Sequence, residues 1–344
     1  WAKRLIDTRA ITIMPAANAL GYSQNVREEN GVDPNRDFAW DQQASSCMKT
    51  IAARSINEVW LDHIFQLSIT FHGGDHLIAY PWGDTIHCQG NWYSCSGGWQ
   101  APDETGMNDL TVGLRKFVGK FASGRGVVEE YNTGALNDPR VIYPVNGGME
   151  DWAYGASWDN EGLVKCSPSS FDGYSAAKTT YNNATNRAIN LLVETAFEKT
   201  PSESLLGSSE EVLVGGGGKG NGHVARNIRL CWFLADMVQP WLEIVKVDEL
   251  PNLVTPGFKF SVTWEAGGAI SITEAKIVCS SSASSENLCS STTITNRKLW
   301  EDGKKLPSIK SQEWASPSRN EASKGQPQTH FVRARTDASW LAIN

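Results

Sequence analysis

Strand-like and helix-like patterns alternate along this 344-residue chain up to about residue 245, and that alternation restricts the fold more than any other feature. The apolar run at 64–71 is typical of a buried strand, and the stretch before it, 41–63, carries apolar side chains at helical spacing. Residues 106–122 predict a further helix. Such alternation predicts an α/β domain in which helices flank a mixed sheet rich in parallel strands.

The pattern of the sequence changes after Pro251 from alternating helices and strands to short strands only. Residues 259–264 and 275–278 alternate apolar and polar side chains as short strands do, and loops rich in Ser, Thr and Gly separate them. We therefore predict two domains, an α/β domain over residues 1–245 and a small, β-sandwich-like domain over residues 246–344.

Composition argues against two kinds of partner. A net charge of −7 and a pI near 5.5 do not favour binding to nucleic acid. The most apolar stretch, residues 230–245, contains Asp236, Pro240 and Glu243, and no run of 18 apolar residues exists. The sequence therefore predicts an amphipathic core helix at 230–245 and no membrane span.

The cysteines and one sequon indicate a secreted protein. Four cysteines form two pairs within short polar segments, Cys88 with Cys95 and Cys279 with Cys289. Local disulfides at such positions are typical of proteins that fold in oxidising compartments. Asn183 begins the sequence Asn-Ala-Thr, an acceptor site for N-glycosylation. We expect the protein to be extracellular or to reside in the secretory pathway.

The segment at 30–38, Asn-Gly-Val-Asp-Pro-Asn-Arg-Asp-Phe, places an amide and a guanidinium side by side at Asn35 and Arg36. The guanidinium presents a planar fork of donors and the amide adds another, which suits recognition of a terminal carboxylate. Alone the pattern is weak, because Asn and Arg after Gly and Pro are also typical of an ordinary exposed turn.

Three later segments carry groups of catalytic chemistry. His72 follows the apolar strand where it meets a Gly-Gly loop, a position suited to binding a metal. The glycine loop at 145–154 presents a phenol, Tyr154. The apolar run at 191–193 leads into Glu194, and a buried acid is unfavourable unless it has a partner or a function. The alternative for His72 and Glu194 is a buried polar pair with satisfied hydrogen bonds.

These segments, in this order, resemble the zinc carboxypeptidase family over about residues 1–245, and most closely the branch in which Gly-Gly follows the metal-binding histidine. The resemblance implies a carboxypeptidase-like α/β domain, one zinc ion, and substrates that are the C-termini of peptides or proteins. It also implies roles for six side chains: a zinc ligand in His72, a grip on the terminal carboxylate in Asn35 and Arg36, a substrate-covering phenol in Tyr154, a general base in Glu194, and polarisation of the scissile carbonyl by Arg27.

The sequence around Asn35 and Arg36 departs from the family pattern in three places. Arg27 lies one residue closer to Asn35 than is usual. Pro34 and Asp37 also differ from the commonest residues, but they leave the Asn-Arg pair intact.

The resemblance implies a defined chemistry. Zinc polarises the peptide carbonyl and lowers the pKa of a bound water, and Glu194 takes a proton from that water and passes it to the leaving amine. Arg27 stabilises the developing oxyanion, and Arg36 fixes the free carboxylate so that only the last peptide bond is reached. The expected function is therefore that of a metallocarboxypeptidase that releases C-terminal residues.

Two zinc ligands that the family uses are not found in the sequence. They belong to a His-x-x-Glu motif, and none of the six histidines is followed by Glu at that spacing. Residues 1–7 look like the end of a helix and residues 9–15 like a central strand, so we expect the motif in an upstream segment or in a companion polypeptide packed near Ile11. The alternative is a catalytically inactive relative that serves as a structural or interaction module in an extracellular assembly.

Overall fold

The computed structural model describes residues 1–38, 48–91, 94–123, 126–155, 188–209, 212, 222–247, 259–268, 271–282, 285–288, 294–298, 300–301, 304–305, 309–315, 329–336 and 340–343. The chain divides into two compact units, residues 1–234 and residues 235–344. Asn183 and Cys289, two residues singled out in the sequence, lie outside the described residues.

Helices account for much of the first unit. The α-helices are α1 (Ala2–Thr8), α2 (Ala19–Gln24), α3 (Ile51–Asp62), α4 (Glu104–Val118), α5 (Met149–Gly155) and α6 (His223–Met237), and short 3-10 turns occupy Pro34–Arg36 and Glu203–Leu205. No helix in the described part of the chain has the length and apolar character needed to cross a membrane.

A four-stranded mixed sheet forms the centre of the first unit. Its strands are β1 (Leu67–His72), β2 (Asp75–Tyr80), β7 (Asn132–Ala135) and β8 (Ile189–Ala196), in the order β1-β8-β2-β7, and short hairpins pair β3 (Cys88–Asn91) with β4 (Ser94–Gly98) and β5 (Phe121–Ser123) with β6 (Gly126–Val128). The pairs β1–β8 and β2–β7 are parallel, whereas β2–β8 is antiparallel. The mixed sheet with flanking helices confirms the fold class expected from the sequence.

Apolar faces of the helices cover this sheet. Helix α5 packs on β8, and α4 packs on β2 and β7. A buried cluster around Trp152 joins α3 and α5, and Trp60 and Phe65 pack against it. Burial of these large side chains contributes roughly 1.5–3 kcal/mol each to folding. The packed sheet therefore holds the ends of the loops that leave it in defined positions.

Two sequence expectations fail in the first unit. Residues 9–15, expected to form a strand, make no ladder pairing, and Ile11 and Ile13 are exposed. The stretch 230–245, expected to be one helix, stops being helical at Met237 and continues as strand β9 (Trp241–Val247), because Pro240 cannot donate the hydrogen bond that would extend the helix.

The second unit is built from antiparallel strands. They are β9 (Trp241–Val247), β10 (Lys259–Gly267), β11 (Ser271–Ser282), β12 (Ser285–Leu288), β13 (Ile294–Lys298), β14 (Trp300–Glu301), β15 (Lys304–Lys305), β16 (Ile309–Ala315), β17 (Thr329–Thr336) and β18 (Trp340–Ile343). One sheet has the order β16-β10-β9, another has β12-β11-β17-β18 with β13 also paired to β11, and β14 pairs with β15. The expectation of small β-sheets in this part of the chain is met, and Cys279 lies on β11.

Candidate active site

A cleft of about 220 Å³ opens beside the ends of β1 and β8. Its size is below that of pockets that enclose a drug-sized ligand, which suits one or two terminal residues of a chain. The cleft is lined by Arg27, Asn35, Arg36, His72, Gly73, Gly74, Asp75, Gly83, Leu136, Ile142, Tyr143, Val145, Glu150, Asp151, Leu192, Glu194 and Lys199. Five of the six side chains to which the sequence analysis assigns roles therefore meet in one place, and Tyr154 does not.

His72 and Glu194 are adjacent because of strand register. The parallel pairing of β1 with β8 aligns these two residues, and Thr195 then fixes the end of β1 by donating its hydroxyl to the His72 carbonyl (2.9 Å). Both side chains are half-buried. An imidazole and a carboxylate thus share the inner wall of the cleft.

The Glu194 carboxylate is partly unsatisfied. The backbone N–H of Asp75 donates to this carboxylate, whereas its buried Oε2 has no hydrogen-bond partner. Burial raises the pKa of the Glu194 carboxyl; the neighbouring His72 opposes that rise and Asp75 adds to it. An unpaired carboxylate oxygen with a raised pKa has the properties of a proton acceptor.

The described residues do not complete a metal site. His72 is an imidazole at a cleft wall, but the part of the chain that the structure describes contains no group of three or more His, Cys, Asp or Glu side chains that could hold a metal ion. A catalytic zinc takes three protein ligands and a water. His72 therefore fits as one ligand, and these residues by themselves do not fit a zinc ion.

The segment 27–37 is held in shape by its own acids. Asn30 and Gly31 both have positive φ (51° and 79°), which forms a tight turn that Glu29 and Val32 close with two backbone hydrogen bonds. Asp33 then accepts from the Asn35 backbone N–H (3.0 Å) and from Arg27 Nε (2.7 Å). The single carboxylate of Asp33 thereby ties Arg27 to the loop that carries Asn35.

Arg36 presents its guanidinium to the cleft from this loop. One of its nitrogens, Nη1, donates to the Asn35 carbonyl (2.7 Å) and lies 3.9 Å from the Asp33 carboxylate, and about a third of the side chain is exposed. The backbone of Arg36 is covered by Gly147, and the Phe38 N–H donates to the Gly147 carbonyl (3.2 Å). The guanidinium fork thus points into the cleft from a fixed backbone.

Tyr154 does not reach the cleft. It lies on α5 with no exposed surface, its ring contacts Trp82 edge-on, and its hydroxyl donates to Asp103 Oδ2 (2.8 Å) while accepting from the Asp103 N–H. The glycine loop passes into a helix that carries Tyr154 into the core, so its part as a substrate-covering phenol stays a prediction.

A different phenol lines the cleft. Tyr143 stands before the glycine loop and has 67% of its surface exposed. The sequence did carry a signal for it, because Ile-Tyr-Pro-Val precedes Asn146 in a segment with no helical or strand pattern, where side chains remain free to move. Tyr143 is therefore a second tyrosine with access to the candidate site.

Two acids at the start of α5 line the deep end of the cleft. Glu150 is 3% exposed, and its Oε1 accepts from the Thr70 hydroxyl (2.7 Å). Its Oε2 lies toward Gly148: a Cβ placed on Gly148 would be 2.6 Å from that oxygen and 3.9 Å from Asn35 Oδ1. Sequence analysis did not single out Glu150, a buried carboxyl group near Asn35.

Asp151 has a supporting role next to Glu150. It is buried and accepts from the Gly83 N–H at 2.9 and 3.2 Å. Burial raises the pKa of the Asp151 carboxyl well above its usual range, and the charge of Asp84 adds to the rise. Asp151 therefore fixes the loop at Gly83 and is not a free anion at the cleft surface.

A disulfide-bearing hairpin lies outside the cleft lining, and a cation lies within it. Cys88 and Cys95 are joined by a disulfide, with Cα atoms 5.2 Å apart, across the β3–β4 hairpin. Lys199 lies against Gly74 in the loop that follows His72. Positive charge is thus present at both ends of the cleft, from Arg36 and Lys199.

Comparison with known proteins identifies the chain's relatives. The sequence profile of the zinc carboxypeptidases matches residues 1–179. Carboxypeptidase SOL1 of Arabidopsis thaliana is 30% identical over 159 residues, which cover 44% of this chain and 30% of the relative. Carboxypeptidase M of Mus musculus is 28% identical over 162 residues (44% and 36%), and carboxypeptidase B of Astacus astacus is 25% identical over 185 residues (44% and 53%).

The matches cover part of this chain and part of each relative. The chain spans about a third to a half of the length of these three relatives. The family profile covers more than half of the chain and includes the segments of Arg27, Asn35, Arg36 and His72. The chain belongs to the zinc carboxypeptidase family.

Proposed function

We propose that this chain recognises the free C-terminus of a peptide or protein and releases the last residue as a carboxypeptidase. The observation that carries the proposal is the convergence of Arg36 and Asn35 with His72 and Glu194 in one cleft. A receptor for a terminal carboxylate then lies beside a proton acceptor, and that combination restricts attack to the last peptide bond.

Each side chain has a role in this scheme. Arg36 forms a charge-assisted pair with the substrate's terminal carboxylate, and the Asn35 amide adds a further donor. Glu194, through its unpaired Oε2, takes a proton from the attacking water and returns it to the leaving amine. Arg27 lies close enough to Glu194 for their charges to interact and would stabilise negative charge on the carbonyl oxygen. Tyr143 covers the bound residue from the open side.

The family is zinc-dependent, and His72 would be one ligand of that ion. The remaining protein ligands are not supplied by any described residue. The roles given above are therefore roles of this chain's own groups: the arginines bind and orient the substrate, and Glu194 holds and moves the proton.

The cleft favours a cationic side chain on the residue that is released. The carboxylate and the side chain of a terminal residue branch from one Cα, so a residue held by Arg36 would have its side chain within reach of the cleft wall near Asn35. Glu150 occupies that wall with Oε2 turned toward Gly148. Leu136, Ile142 and Leu192 supply an apolar surface for the aliphatic stem of Lys or Arg.

Two features of the chain support a proposal about its compartment. The Cys88–Cys95 disulfide persists in oxidising surroundings, and Asn183 carries a glycosylation sequon. We propose an extracellular or secretory-pathway protein acting on the C-termini of peptides or proteins, with residues 246–344 as a β-sandwich-like accessory domain.

One observation favours a second candidate function. Because the described residues include no complete set of metal ligands, the same cleft could bind C-termini without hydrolysing them. On this account the protein is an interaction module that captures chain ends in an extracellular assembly.

The carboxylate receptor is tested by changing Arg36 to Ala. Binding of a peptide with a free C-terminus is expected to weaken by roughly 2–4 kcal/mol, because a charge-assisted pair is lost. The same peptide with an amidated C-terminus should bind wild type and variant alike. Arg140→Ala, which removes an exposed arginine paired with Asp138 outside the cleft lining, serves as the matched control. Equal losses for free and amidated peptides would refute the receptor.

Metal analysis and a peptidase assay separate the two candidates. Stoichiometric zinc with hydrolysis that Glu194→Gln abolishes supports the enzyme. Absence of both, together with Arg36-dependent binding, supports the binding module. Zinc and activity in material from the native source, but not in the 344-residue chain alone, would indicate a companion polypeptide that completes the site.

A further inference from the structure

Behind the cleft, three nitrogen-bearing side chains are buried together without an acid among them. They are His76 on β2 and His223 and Arg226 at the start of α6, with 8%, 6% and 0% of their surfaces exposed. We refer to these three residues as the Arg226 cluster. None of them lines the candidate active site.

Arg226 is incompletely satisfied. Its Nη2 donates to the Glu129 carbonyl (2.8 Å), and its guanidinium carbon lies 3.8 Å from the centre of the Tyr131 ring. Its Nε and Nη1 are buried and have no hydrogen-bond partner in the part of the chain that the structure describes. A guanidinium keeps its charge in proteins, so that two charged N–H edges face the interior unpaired.

The two histidines surround the same aromatic pair. The His76 ring lies 4.5 Å from the Tyr131 ring, and the His223 ring lies 5.1 Å from that of Phe121, which Arg226 also approaches at 5.7 Å. Nε2 of His76 and Nδ1 of His223 are buried and have no partner. Unpaired nitrogens from three residues thus gather around Tyr131 and Phe121.

Among the described residues no carboxylate forms an ion pair with the cluster, although the charges of Glu130 and Glu198 act on Arg226 and His223 from a distance. Glu130 pairs with Arg115, Glu129 extends toward Lys120 with most of its side chain exposed, and Glu198 is an exposed residue. The Tyr131 hydroxyl is already used, since it donates to Asn227 Oδ1 (2.8 Å). Arg229, close enough for its charge to act on Arg226, adds to the positive potential.

We propose that the Arg226 cluster binds a small monovalent inorganic anion of the chloride class. A buried charge is strongly unfavourable unless it is paired, and an anion pairs with the guanidinium while accepting from Nε or Nη1. The 15-residue helix α6 begins at His223, so its positive end faces the same region. A water molecule could accept the hydrogen bonds but would leave the charge unopposed.

The anion connects to the strand that carries Glu194. The Tyr131 hydroxyl lies 3.4 Å from the Thr195 carbonyl, and His223 hydrogen-bonds to the backbone of the same residue. Thr195 in turn holds the His72 carbonyl. The proposed site therefore supports the inner wall of the cleft from behind, without contact with the peptide.

Thermal unfolding of the full 344-residue chain tests the proposal. Raising sodium chloride from about 1 to 100 mM, with sodium gluconate holding the ionic strength constant, is expected to raise Tm by about 2–4 °C. Arg226→Met should abolish this difference between the salts. Arg140→Met, which removes an exposed arginine, should retain it. Equal Tm values in chloride and gluconate for the wild type would overturn the proposal.

Diffraction from wild-type crystals grown in sodium bromide gives an answer that does not depend on folding of the variant. An anomalous peak within hydrogen-bonding distance of Arg226 Nε or Nη1 is expected. Density there that scatters as water, with no anomalous signal, would show that solvent alone satisfies the cluster and would overturn the inference.

Discussion

Gly147 lies directly against the backbone of Arg36: a Cβ placed on Gly147 would be 2.2 Å from the Arg36 carbonyl oxygen. Gly147 also has φ of +79°, a conformation that L side chains rarely adopt. Two loops far apart in sequence thus approach as closely as backbones can, and the position of the carboxylate receptor depends on that approach.

Replacing Gly147 by Ala should separate these loops. We expect a loss of roughly 1–3 kcal/mol in the free energy of unfolding, from backbone strain and the steric clash, measured by chemical denaturation. Binding of free C-termini should weaken in the folded variant as Arg36 shifts. Gly106→Ala is the control, because its Cβ would meet no atom within 4 Å and it lies inside α4, where Ala is favoured. A Gly147→Ala protein as stable as wild type would contradict the close approach.

The two tyrosines should respond in opposite ways to loss of the hydroxyl. Tyr154→Phe is expected to destabilise the fold by about 0.5–1.5 kcal/mol, because the hydrogen bond between its hydroxyl and Asp103 is lost, while binding of peptides is unchanged. Tyr143→Phe is expected to leave stability unchanged and to weaken peptide binding by about 0.5–1.5 kcal/mol. Unfolding curves and calorimetric titration measure the two effects. Weakened binding in Tyr154→Phe alone would restore the role that sequence analysis gave to Tyr154.

Glu150 should set the preference for the side chain of the terminal residue. Nα-acetyl-lysine is expected to bind at least ~10-fold more tightly than Nα-acetyl-norleucine. Glu150→Gln should remove most of that difference by weakening the binding of the lysine compound, while the binding of the norleucine compound stays the same. Glu129→Gln, which removes an exposed acid, should leave it unchanged. If binding of both compounds depends on Arg36 but neither responds to Glu150, the receptor stands and the assignment of selectivity fails.

His76 should make stability depend on pH. Burial, helped by the charges of Arg226 and His223, lowers the pKa of the His76 ring to about 4 from 6.5. Between these values the unfolded chain binds a proton that the folded chain does not, so stability falls as the pH drops from 6.5 to 4, by about 3 kcal/mol in total.

The comparison is made by chemical denaturation in gluconate buffers, since an anion near the ring would oppose the effect. His76→Phe is expected to flatten the pH dependence over this window relative to wild type. Substitution of the exposed His63 by Gln should not alter it. Parallel curves for wild type and His76→Phe would show that the pKa of the ring is the same in the folded and unfolded chains, which would contradict the prediction.

Much of the site could be predicted from sequence because its parts are local. His72 at a strand end and Glu194 within an apolar run are readable from periodicity, and the register of two parallel strands then makes them neighbours. Arg36 follows from its own turn. The burial of Tyr154 could not be predicted because it involves a distant partner: its hydroxyl bonds Asp103, and no pattern around either residue contains that contact.

The position of β1 at the edge of the described sheet has a consequence for local opening of the cleft wall. Within the described residues, β1 pairs on one side only, with β8, whereas β8 is hydrogen-bonded on both sides. Edge strands open more readily than central ones, so amide exchange should be faster along Leu67–His72 than along Ile189–Ala196. The Thr195 hydroxyl holds the last carbonyl of β1, so fraying should begin at Leu67 and fade toward His72. The histidine is thus carried at the slow-exchanging end of a fast-exchanging strand.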